Sequence, residues 1–164
     1  MPQLVPCLDV RDPAYDGVVV VTDCTIKLTG NLQPLGTVLD KFAQIFAPTG
    51  PLNRDYDDVR RFADAAVLGI KRALDAGCKK PLLVRPVDVD ASFTNAEMVT
   101  LLGSLQALYV PLEIREACED RRQKAQVLGV WSDNEDRVKQ CVTLAAALEK
   151  GRYGVTMKTV LNNV

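Results

Sequence analysis

The reactive inventory of this chain is narrow, because its 164 residues include no histidine. That removes Ser-His-Asp and Cys-His pairs and every imidazole ligand, leaving carboxylates, thiols and amines. Asp88-Val89-Asp90 could set two carboxylates on one side of an extended segment, as a hard cation needs. Directly after Pro86, it reads instead as a solvated loop. Asp55, Asp57 and Asp58 could form an acid–base cluster, but they open a helical pattern, where acidic residues complement the helix dipole. The basic run Arg121-Arg122-Gln123-Lys124 follows Glu119-Asp120, so the charges neutralise one another and the stretch reads as a solvated face. Neither GxGxxG nor GxxxxGK[ST] occurs, and Gly50, Gly69 and Gly77 lie too far apart to replace a phosphate-cradling loop. Cys7, Cys24, Cys78, Cys118 and Cys141 form no CxxC pair and read as reduced thiols filling apolar space. Trp131, at a strand end, reads as core or interface rather than ligand stacking. The residue patterns therefore assign no catalytic, cofactor-binding or metal-ligating residue in this chain.

Composition narrows the class further. The chain is 48% hydrophobic and 25% charged, the balance of a globular domain. Twenty Lys and Arg against 21 Asp and Glu give a net charge of −1, which offers no drive toward nucleic acid or an anionic membrane. No apolar run approaches the roughly 20 residues that span a bilayer. Met1-Pro2-Gln3 opens neither a basic nor an apolar leader segment, so a cytoplasmic protein is expected.

The elements that must position these groups follow from periodicity. Pro2 to Val10 reads as a strand held to a sheet edge by Pro6, which cannot donate to a ladder. Gly17 to Asp23 is a β-branched run typical of a strand covered on both faces. Leu35, Val38, Leu39 and Phe42 predict a short helix, and Ile45-Phe46-Ala47 a brief strand. Val59, Phe62, Ala63, Ala66, Val67, Ile70 and Leu74 mark one face of a helix from about Asp55 to Ala76, stopped by Gly77. Pro81 to Arg85 is a further strand. Thr94-Asn95-Ala96-Glu97 matches a capping box ahead of a helix through Met98, Leu101, Leu102, Leu105 and Leu108, bounded by Pro111. Ala125 to Trp131 is the last strand. Ser132-Asp133-Asn134-Glu135 then opens a helix facing inward through Val138, Cys141, Val142, Ala145 and Leu148, with Gly151 ending it. Strands alternating with helices predict one α/β domain, with a mixed, largely parallel sheet of about five strands and helices on both faces.

Four segments carry a resemblance: 47–61 (APTGPLNRDYDDVRR), 73–84 (ALDAGCKKPLLV), 107–116 (ALYVPLEIRE) and 148–153 (LEKGRY). Over residues 17 to 153 the chain resembles the N-terminal domain of the leucyl (cytosol) aminopeptidase family, most closely its animal branch. The resemblance implies a macro-domain-like three-layer sandwich at 1–153, with a divergent tail at 154–164 where a linker to a peptidase domain would start. It implies a non-catalytic interaction domain that packs on the peptidase domain and supports oligomer assembly, a hexamer in full-length members. The family's two divalent metals, Zn or Mn, and its catalytic lysine and arginine belong to the peptidase domain. Their NTDAEGR-like block does not occur here, so no catalytic or metal residue carries over. The alternative is a free-standing macro-domain-like module for nucleotides or ADP-ribose, against which the missing glycine-rich loop speaks. The isolated chain is expected to be a monomer or weak dimer, with any self-contact through its final helix and tail.

Overall fold

The computed structural model describes residues 1–22, 43–54, 58–84, 93–132 and 134–154. Along the chain these form β1 (Gln3–Cys7), β2 (Gly17–Thr22), β3 (Ala43–Pro48), α1 (Arg60–Asp75), β4 (Pro81–Val84), α2 (Ala96–Leu108), α3 (Leu112–Ala117), β5 (Val127–Trp131) and α4 (Glu135–Tyr153). The five strands make one sheet in the order β1-β5-β4-β2-β3, and every neighbouring pair is parallel. The class is α/β as the alternation of elements predicts, and the mixed character allowed for in the sheet resolves to wholly parallel. β1 lies at an edge, so the missing donor of Pro6 costs no inner ladder bond.

A parallel sheet is normally buried on both sides, and here the side chains divide by alternation. Val19, Val21, Leu83, Leu128 and Val130 face a cluster with Phe62, Ile70, Leu101, Leu105 and Val142 of α1, α2 and α4. Val18, Val20, Leu82 and Val84 face the other way, packing with Cys7, Val10, Tyr15 and Trp131. All six residues of β2 are buried. This two-sided burial is consistent with a three-layer sandwich.

Close approach sets the helix layer. α1 reaches the sheet through Gly69, where a Cβ would meet the Val19 side chain at 2.6 Å and Ala47 at 2.8 Å. α1 and α2 touch backbone to backbone at Gly103, whose Cβ would lie 2.6 Å from the Ala63 carbonyl oxygen. α2 is buried nearly all round, and its hydroxyls turn back on their own helix. Thr100 donates to the Ala96 carbonyl at 2.6 Å and Ser104 to the Thr100 carbonyl at 3.0 Å.

Several expectations change. α1 starts at Arg60, so Asp58 precedes the helix: its carboxylate accepts the Arg60 backbone N–H at 2.8 Å and pairs with the Arg60 guanidinium. Asp55 and Asp57, the helix expected over Leu35–Phe42 and the strand's extension to Arg85 lie outside the described residues. α3 is an addition, because Pro111, read as a stop for α2, stands at the N-cap of the next helix. α4 runs through Gly151 to Tyr153, its inward face is Val138, Val142, Ala145 and Glu149, and Leu148 is 52% exposed.

Gly103→Ala is expected to cost about 1–3 kcal/mol, since the added methyl must separate two helices at their backbones. A shifted urea midpoint would report this; an unchanged midpoint would show that α1 and α2 part freely.

Candidate functional site

In open parallel sheets, ligands gather beyond the carboxyl ends of the strands, where the following helices begin. Here that edge holds a polar cluster built from three elements. Glu97, in the first turn of α2, accepts a hydrogen bond from the Ser132 hydroxyl at 3.0 Å, just after β5. Its second carboxylate oxygen pairs with Arg137 Nε of α4 at 2.8 Å. The Arg137 guanidinium also donates to the Thr94 carbonyl. The Glu97 side chain is 12% exposed and Arg137 45%, so the carboxylate is held inside and its counter-charge reaches solvent.

This corrects both expected capping boxes. α2 is capped at Asn95 without a side-chain bond, and α4 at Asn134, whose side chain accepts the Arg137 N–H at 3.0 Å. Glu97 and Ser132, assigned from sequence to two separate local motifs, bond to each other instead. Beside them is a cavity of about 20 Å³, lined chiefly by Leu83, Thr100, Leu101, Val130 and Val138. That is room for roughly one water molecule. Bonded to a hydroxyl and paired with a guanidinium, the carboxylate braces three elements.

The amino end of the sheet carries an open cleft of about 400 Å³ lined by Lys71, Asp75, Lys79 and Lys124. α1 and α2 end there, and lysine complements the negative end of a helix. Lys124 does so directly, donating to the Ala107 carbonyl at 2.8 Å. Within the basic run, Arg122 pairs with Glu119 at 3.2 Å, so its charge is neutralised on an exposed face.

Two of the family-like segments, 107–116 and 148–153, meet in space. The Tyr109 and Tyr153 rings pack edge to face at 5.5 Å, with Arg115 over Tyr153 at 4.7 Å and Arg152 over Tyr109 at 3.9 Å. Arg115 also donates to the Tyr153 carbonyl at 3.1 Å. The buried Glu149 carboxylate pairs with Arg152 at 3.3 Å. No sequence pattern joins these residues; the signal is resemblance alone.

Two of the thiols are packing groups. Cys7 and Cys78 are buried, burial pushes both thiols above their ordinary range, and thiolate character is suppressed. Asp88, Asp90 and Cys24 lie outside the described residues. Among the described residues no three His, Cys, Asp or Glu side chains are grouped so that they could share a metal ion. No described helix is long and apolar enough to cross a membrane.

Fold and site together define an α/β domain whose described polar clusters join its own elements to one another. No family model matches the sequence. Over 134 residues, 79% of its length, the chain is 37% identical to a Caenorhabditis elegans protein named "Putative aminopeptidase W07G4.4". It spans 25% of that relative's length. This similarity supports an aminopeptidase-related family, and the coverage is consistent with a domain of a larger aminopeptidase-like protein.

Glu97→Ala is expected to cost about 1–3 kcal/mol, because it strands the Ser132 hydroxyl and frees α4 from α2. Thermal unfolding measures it; wild-type stability would show that the cluster braces nothing. A second expectation concerns alkali. Burial, reinforced by neighbouring Cys7, pushes the Tyr15 phenol from its ordinary value of 10 to about 12. A raised folded-state value means this contribution is full below pH 10 and lost as pH climbs toward 12. The melting temperature should fall across that window, and less steeply in Tyr15→Phe; identical slopes would place the alkaline transition elsewhere.

Proposed function

We propose that this chain is the non-catalytic N-terminal interaction domain of a leucyl aminopeptidase-like protein, packing on a peptidase portion and supporting its oligomer in the cytoplasm. The observation that carries the reading is the asymmetry of the match: 79% of this chain corresponds to only 25% of the relative. The likeness thus falls on a domain-sized part of a much longer protein. The assembly of Tyr109, Arg115, Arg152 and Tyr153 from two family-like segments supports the same reading, since it ties the last helix to the body of the domain. Peptidase chemistry, with its pair of divalent metals, then belongs to the remainder of such a protein.

A nucleotide-binding module is the weaker reading. The helix N-termini at the carboxyl edge of the sheet could receive a phosphate. In α2 that first turn already carries the Glu97 carboxylate, fixed by Ser132 and Arg137.

Assay of the purified chain on leucyl-p-nitroanilide with added Zn²⁺ or Mn²⁺ is expected to give no turnover. Metal-dependent hydrolysis that copurifies with the chain would overturn the proposal.

A further inference from the structure

The described sheet ends on β1 and β3, and an outer strand offers its unpaired N–H and C=O groups to any strand that meets it. The ladder determines which groups those are. The Gln3 N–H is bonded inward to the Gln126 carbonyl at 2.9 Å, and the Thr49 N–H to the Thr22 carbonyl at 2.8 Å. Backbone groups of alternate residues turn the other way. Leu4 and Pro6 therefore face out from β1, and Gln44, Phe46 and Pro48 from β3. Each edge carries a proline where a donor would otherwise point outward.

Proline removes a donor but leaves the acceptors in place. On β3 the central outward acceptor is covered by another residue. Arg72, in the last turn of α1, donates from its guanidinium to the Phe46 carbonyl at 3.3 Å. A cation there serves the helix dipole wherever its head group points. This one, on an exposed residue, is directed at the middle of the sheet edge. The Phe46 N–H, beside it, meets no acceptor among the described residues.

We propose that Arg72 guards the β3 edge, keeping it from pairing with β3 of a second copy of this chain. The pairing held off is two-fold and antiparallel, with Phe46 opposite Phe46. Each Phe46 would give its N–H to the carbonyl of the other, and Gln44 would lie opposite Pro48. The proline lacks the flanking donor, and the guanidinium already occupies the central acceptor. An incoming strand must therefore replace a charge-assisted hydrogen bond with a neutral one, which is an unfavourable exchange. Two-fold symmetry would also bring both Arg72 side chains to the axis, adding repulsion between like charges. The guard closes sheet continuation as a route of assembly, and it is independent of the aminopeptidase reading.

Sedimentation velocity on the full chain, from ~10 µM to ~1 mM, tests it together with amide hydrogen exchange. Arg72→Ala should associate at least about tenfold more tightly than the wild type. The Phe46 amide should exchange quickly in the wild type and become protected as the variant dimer forms. Arg72→Lys, which can still donate to the carbonyl, should stay near the wild type. Lys71→Ala, which removes the same charge one residue away, should change nothing. Circular dichroism confirms that all three variants are folded. An Arg72→Ala chain that associates no more tightly than the wild type overturns the proposal. Association that leaves the Phe46 amide unprotected, or that Lys71→Ala reproduces, overturns it equally.

Discussion

Everything else in this domain follows from a sheet whose strands all run the same way. A parallel ladder cannot be closed by tight turns, so each strand must be followed by a crossover that returns the chain to the starting edge. Crossovers cover the faces, and the strands become apolar throughout. β2 is the extreme case, buried along its whole length. The alternation of Val18 and Val20 against Val19 and Val21 then divides the interior into two cores with one strand as their shared wall. Because the helix layer sits tightly on that wall, its small residues stand where the backbones come closest.

The extent to which this could be read in advance depended on which signals are local. Strands of Val and Leu between Gly and Pro are local signals, and β1, β2, β3, β4 and β5 fall where composition and turn residues put them. The edge position of β1 follows from one proline. The helix faces were harder. In α4 the run Leu144 to Leu148 is apolar on every side, so periodicity could not choose between Leu148 and the neighbouring Glu149. The structure turns the carboxylate inward, where Arg152 meets it, and leaves the leucine outside.

The polar cluster at the carboxyl edge shows the same limit more sharply. A Thr or Ser three residues before a Glu is a sound local motif, and two occur at the right places. Both were diverted, because the long-range partner was better: the Ser132 hydroxyl is fixed by the end of β5 at hydrogen-bonding distance from Glu97. No window of sequence contains both. What the cluster shares with the Tyr109–Tyr153 pair is that each locks a helix terminus to a distant part of the chain. The chemistry on display is that of holding a domain together, in keeping with a part of a larger aminopeptidase-related protein.

The pairing of β1 with β5 has a consequence for how the domain is made. Gln3 lies opposite Val127 and Cys7 opposite Trp131, so β1 joins the sheet through a neighbour that follows β2, β3 and β4 in the chain. During synthesis β2, β3 and β4 can assemble while β1 has no neighbour to pair with. A strand that emerges before β2, β3 and β4 is thus placed after them, and such late, non-local closure is what slows folding and lengthens exposure to aggregation. The proline that keeps β1 at the edge also denies a backbone donor to any stray strand during that wait.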